Sequence, residues 1–278
     1  MSLQFVDFKK RIGNDELAVE FQLADKESLA IINSDIKILK IFKNIFSKKE
    51  DYRGKVLVNG SDIRKQIGTY LFSDEGLYSN FSLYQNFRFL FSINGIRIKK
   101  EEVLKCFEEL ALDEKKRYSD LETGEKERVE ILLAYFFSKE LVVLDLSERK
   151  YINSKLISSF LRKKMSSLEK NIIVLARDYN EISSLMTHTL MMDGVKQEYF
   201  GKKKDFDIIS KLVVLELSDI NEKELEKRLP FDFTVVNKKF IIEKSNIEAA
   251  LYYFVSNNIE VYNISDFAEN DDLYVKGE

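Results

Sequence analysis

The sequence predicts an α/β protein: a three-layer core around a mostly parallel sheet, followed by a small α+β module. Two observations carry this. Short runs that are apolar almost throughout, Ser28–Ile32, Leu141–Leu144 and Asn171–Leu175, read as strands buried on both faces, and amphipathic helices alternate with them. After Gly201 the order becomes strand, helix, two strands, helix, strand, the pattern of a ferredoxin-like module.

Each element has its own signal. Leu3–Phe8 and Leu17–Phe21 alternate apolar and polar residues like an antiparallel hairpin. Asn33, Ser34 and Asp35 follow the first buried strand and offer helix N-caps, after which Ile36, Leu39, Phe42 and Ile45 recur at helical spacing. Lys55–Gly60 reads as a strand and turn, and Gln66–Phe72 as another strand. Residues 82–118 are mostly helical, Arg128–Phe137 is an amphipathic helix, and Leu156–Leu168 is a further helix. In the module, Lys211–Leu217 is a strand and Asn221–Leu229 a helix stopped by Pro230, the only proline. Phe233–Val236 and Phe240–Glu243 form a hairpin, Asn246–Asn257 a helix, and Glu260–Ile264 the last strand.

Composition narrows the function. The 278 residues are 45% hydrophobic and 33% charged, as in a water-soluble globular chain with one large and one small domain. The net charge of −3 gives no electrostatic case for nucleic acid. Basic runs at Arg97-Ile-Lys99-Lys100, Arg162-Lys-Lys164 and Lys202-Lys-Lys204 read as solvated surface, with an anionic membrane surface as the other possibility. The one cysteine, Cys106, lies in an apolar helical stripe, and the one histidine, His188, has no Cys or His partner for zinc. No signal peptide and no apolar run of about 20 residues is present, so a cytoplasmic chain is expected.

Five stretches stand in a telling order. The first is the strand Leu29–Ile32, the joint Asn33-Ser34-Asp35 and the helix opening Ile36–Ile41. The second is Ile67-Gly-Thr-Tyr-Leu-Phe-Ser-Asp-Glu-Gly-Leu-Tyr-Ser-Asn-Phe-Ser82, and the third Leu121-Glu-Thr-Gly-Glu-Lys-Glu-Arg-Val129. The fourth is Leu141-Val-Val-Leu-Asp-Leu-Ser-Glu148, and the last Ile173-Val-Leu-Ala-Arg-Asp-Tyr179, with Leu190-Met-Met-Asp-Gly194 after it. In order and spacing they resemble the landmarks of an ABC-transporter ATP-binding cassette, the ATPase subunit of bacterial exporters that carry a small C-terminal module. The resemblance implies a P-loop NTPase-like cassette over residues 1–204, with a mixed sheet and antiparallel β and helical subdomains, and a βαββαβ module over 205–278.

The same comparison shows what is missing. The family's first landmark reads G-x-x-x-x-G-K-[ST], whose glycine amides wrap the phosphates while the lysine neutralises them. Here the joint is shorter by about four residues, no glycine lies between Gly13 and Gly54, and Lys37 stands near the family's Ser/Thr. Asp35 would place a carboxylate where phosphate sits, and Asn33 and Lys37 are remnants. Ser73 replaces the family's magnesium-sensing Gln, while Phe72, Leu77, Tyr78 and Phe81 of its partner-docking segment are kept. In the signature L-S-G-G-[QE]-x-x-R-V, Glu122 and Thr123 stand for Ser and Gly, leaving Gly124. Asp145 matches the magnesium-binding Asp, Leu146 replaces the catalytic Glu, and Glu148 is two residues beyond it. Loss of a general base costs about 10²–10⁴ in rate. Arg177 replaces the switch His, and Ile12 stands about where an aromatic stacks on the nucleotide.

The resemblance therefore implies a cassette subunit without ATP binding or hydrolysis and with no cofactor, serving a membrane permease subunit in a structural or regulatory role. It would lie against the inner face of the cell membrane through that permease, and dimerise with an active ATPase subunit or with itself. The alternative is a weak Mg-ATPase that uses Asp145 and Arg177.

Overall fold

The computed structural model describes residues 2–65, 76–138, 141–148, 155–165, 171–179, 182–218, 225, 228–236 and 238–267. The expected strand Gln66–Phe72, with Phe72 and Ser73, lies outside these, as does most of the expected helix Asn221–Leu229. The chain divides into two units, 1–200 and 201–278.

The first unit is built on a five-stranded sheet of β3 (Ser28–Asn33), β6 (Leu141–Asp145), β7 (Asn171–Ala176), β8 (His188–Asp193) and β9 (Lys196–Lys202), in the order β6-β7-β3-β8-β9. The pairs β6–β7, β7–β3 and β3–β8 are parallel. All residues of β3, β6 and β7 are buried, which is why their sequences carry no alternation.

Alternate residues of these strands serve two cores. Leu29, Ile31, Val143, Ile173 and Leu175 face α1 (Ile36–Phe46) and an antiparallel sheet. That sheet has the order β2-β1-β4-β5, from β1 (Leu3–Ile12), β2 (Asp15–Leu23), β4 (Arg53–Val58) and β5 (Ser61–Asp62). Phe5, Phe21, Phe42 and Phe46 fill this core, with the Phe5 and Phe21 rings stacked at 4.7 Å. Gly54 is needed where β4 crosses β1: its φ is +80° and a Cβ there would sit 2.1 Å from the Asp7 carbonyl oxygen. Ala30, Ile32, Val142, Leu144, Ile172 and Val174 face the opposite core. The helices of that core are α2 (Leu83–Ile93), α3 (Lys100–Glu109), α4 (Thr123–Phe137) and α5 (Lys155–Met165).

Two helix boundaries differ from expectation. The 82–118 stretch is two helices joined by a turn at Asn94-Gly95, where Gly95 has φ +67°. Helix α4 starts at Thr123 rather than Arg128, because the Glu125 carboxylate reaches back 2.8 Å to accept the Glu122 amide.

The second unit contains α6 (Lys203–Ile209) and a four-stranded antiparallel sheet of β10 (Leu212–Leu217), β11 (Phe233–Val236), β12 (Lys239–Glu243) and β13 (Val261–Asp266), in the order β11-β12-β10-β13. This is the ferredoxin-like arrangement. Helix α7 (Ile247–Ser256) covers one face through Ala250 and Phe254, against Leu215, Phe240 and Ile242.

Candidate functional site

The candidate site is the carboxyl edge of β3 and β6 together with the N-terminus of α1. At the end of β3, Asn33 is fully buried. Its Oδ1 accepts the Asp35 amide at 2.8 Å, and its Nδ2 donates to the Gly194 carbonyl at 2.7 Å, tying β3 to the turn between β8 and β9. Asp35 is the N-cap of α1, with φ −80° and ψ 108°, and its Oδ1 accepts the Lys37 amide at 2.8 Å. Amides that a helix N-terminus ordinarily offers to an anion are thus held by side chains of the same segment. The Lys37 side chain is exposed.

Asp145 ends β6 on the face that α1 covers, and it is 8% exposed. Lys43 of α1 brings its Nζ to 2.7 Å from Asp145 Oδ2. The Ser147 hydroxyl and amide donate to Asp145 Oδ1 at 2.6 and 3.1 Å. Burial alone pushes this carboxyl up, but Lys43 and Ser147 outweigh burial and hold it below the ordinary carboxylate range. One turn back, Lys40 pairs with exposed Glu148 at 3.1 Å. Two lysines three apart on α1 therefore meet two carboxylates three apart, one at the end of β6 and one beyond it.

The remaining positions are placed apart from this cluster. Leu146 is 4% exposed and lies in the apolar core on the other side of the sheet, with its amide bonded to the Leu175 carbonyl at 2.9 Å. Arg177 follows β7 and is exposed, and Ile12 packs against the α1-side core. Gly124 lies in the first turn of α4, behind exposed Glu122 and Thr123. At that helix start the Lys116 ammonium sits 2.6 Å from the Glu125 carboxylate. Among the described residues no cluster of three or more His, Cys, Asp or Glu could hold a metal ion.

A triphosphate at the start of α1 would meet the Asp35 carboxylate and amides already bonded to side chains. A magnesium ion at Asp145 would have to displace the Lys43 ammonium. The residues present do not fit Mg-ATP in this arrangement.

The segment Leu77–Ser82 is ordered by Asn86 of α2, which is 1% exposed. Its Oδ1 accepts the Tyr78 amide at 2.7 Å, and its Nδ2 lies 3.0, 3.4 and 3.3 Å from the carbonyls of Tyr78, Phe81 and Ser82. Leu77 turns toward the core. Tyr78 and Phe81 turn outward, 50% and 38% exposed, and their rings lie 5.0 Å apart. Phe89 meets Tyr78 edge-on at 5.1 Å, completing an aromatic patch along one flank of α2. Lys43, Ser147 and Asn86 were not among the residues singled out from sequence. Asn86 does carry a signal, a polar residue on the buried stripe of Leu83, Phe87 and Phe91.

The fold is that of the ATP-binding cassettes of ABC transporters. A Pyrococcus furiosus protein described as an ABC-transporter ATP-binding protein superposes with a TM-score of 0.55 at 17% identity, over 69% of this chain and 97% of its own. CbiO1 of Clostridium perfringens, part of the ABC transporter complex cbiONQ, gives a TM-score of 0.57 at 18% identity, over 82% of this chain and 95% of its own. No protein-family sequence model matches the chain, and no characterised protein matches it by sequence. Among the described residues no helix is long and apolar enough to cross a membrane.

Proposed function

We propose that this chain is a cassette subunit of an ABC-type transporter, of the exporter branch, that has given up ATP binding and hydrolysis and acts structurally or as a regulator on a membrane permease. The observation that carries the proposal is the Lys43–Asp145–Ser147 cluster: the carboxylate that would hold magnesium is neutralised from within the protein. The Asp35 cap at α1 and the apolar burial of Leu146 support the same conclusion. Retention of the exposed Tyr78 and Phe81, with half-buried Phe89 beside them, supports docking to a cytoplasmic helix of the permease. The permease would hold the subunit at the inner face of the cell membrane. The cassette partner is an active ATPase subunit or a second copy of this chain.

The test is affinity purification of the tagged full chain from membranes in mild detergent. A permease subunit should co-purify with the parent protein and be lost from Tyr78→Asp/Phe81→Asp, with the melting temperature unchanged. Recovery of the parent chain with no membrane protein attached would count against the proposal.

A further inference from the structure

On the flank of α2 away from the aromatic patch lies a groove of 680 Å³. Phe91, Ile96, Ile98 and Val103 line it together with Arg88, Arg97, Lys99 and Lys100. Lys100 sits 5.2 Å from the centre of the Tyr84 ring. Among the described residues no carboxylate lines the groove and none of the four cations forms an ion pair. Glu101 and Glu102, next on α3, are exposed but do not line it.

The charge pattern is local and strong. From Gly76 to Lys100 there is no Asp or Glu, in a chain that has 47 of them and a net charge of −3. The four cations of this segment are therefore an island of positive potential on an acidic protein. Ile96 and Ile98, which line the groove between Phe91 and Lys99, are only half-buried.

We infer that this face binds the anionic phospholipid surface of a bilayer directly, with headgroup phosphates among Arg88, Arg97, Lys99 and Lys100 and the half-buried Ile96 and Ile98 meeting the interfacial layer. A fluid headgroup layer needs only cations and an apolar side chain to insert, and both are present. An acidic protein partner would be met by positioned donors, whereas among the described residues no carboxylate holds these four side chains. The inference goes beyond permease docking: it concerns another flank of α2, and vesicles free of permease test it, so the two can fail separately.

The experiment is co-sedimentation of the full chain with vesicles of phosphatidylcholine alone or with about one-third phosphatidylglycerol. The chain should bind the anionic vesicles and not the neutral ones, and binding should fall at least about tenfold between about 0.15 and 1 M salt. Each cation near the surface contributes about fivefold, so Arg97→Gln/Lys99→Gln/Lys100→Gln should lower the partition coefficient about a hundredfold. Ile98→Ser should lower it by a smaller factor. The control Arg162→Gln/Lys204→Gln, drawn from the other two basic runs, should bind like the parent. Circular dichroism and melting verify that each variant is folded. Equal binding to neutral vesicles, parent-like binding by the folded triple variant, or capture by a soluble glutamate-rich peptide with no binding to anionic vesicles would each overturn the inference.

Discussion

The Lys43 ammonium and the Asp145 carboxylate lie 2.7 Å apart, joining the last turn of α1 to the end of β6. Asp145 is buried while Lys43 is 41% exposed, so the pair is intermediate between surface and interior ion pairs. Lys43→Ala leaves a buried carboxylate facing a gap and should cost about 2 kcal/mol in urea unfolding. Lys43→Met/Asp145→Leu should recover most of that loss, because two apolar groups of similar size need no counter-charge. A double variant as unstable as the single one would mean that packing around Lys43, and not the charge pair, sets the cost.

The same pair fixes a pH dependence. Asp145 titrates below its unfolded value of about 3.9. Its stabilising contribution is therefore complete above about pH 4 and is lost as pH falls through the lower folded value. Denaturant midpoints measured from neutral pH downward should show this acid loss, and Asp145→Asn should flatten it. An unchanged slope in the variant would assign the acid loss to other carboxylates, of which Glu109 and Glu125 are also held low.

Leu146→Glu restores the residue type of an active cassette at that position but buries a carboxylate in an apolar core. It should destabilise the protein by about 3 kcal/mol or more, or take up a proton on folding, and should not produce phosphate release from ATP. Thermal melting and a phosphate assay on one preparation read both outcomes.

Asn86→Ala removes four polar contacts to the Tyr78–Ser82 backbone and leaves the Tyr78 amide without its acceptor. It should cost about 2–3 kcal/mol and speed chymotryptic cleavage after Tyr78 and Phe81. Cleavage at the parent rate would show that the segment is held mainly by its bonds to residues 117–119, such as Tyr118 N–H to the Phe81 carbonyl at 3.0 Å.

What the sequence made legible follows from what periodicity can encode. The strands around Leu29–Ile32 and Ile172–Ala176 are buried on both faces, so their unbroken apolar runs stand out. The Asp35 cap is a local contact, two residues from the amide it binds, and is readable for that reason. The start of α4 was placed late because Glu122–Lys126 is polar throughout, and only the reach of Glu125 back to Glu122 shows that the helix has begun. The Lys43–Asp145 pair lies between residues 102 positions apart, and no local pattern specifies it. Its one sequence trace is shared spacing, Lys40 and Lys43 against Asp145 and Glu148.

Calorimetric titration of the purified chain with Mg-ATP measures whether the proposed subunit works without nucleotide. No heat of binding is expected up to several times a cellular ATP level of about 1 mM, which means a binding free energy weaker than about −4 kcal/mol. Saturable binding in the micromolar range that Asp145→Ala abolishes would contradict the account, and would mean that Lys43 yields its carboxylate to magnesium.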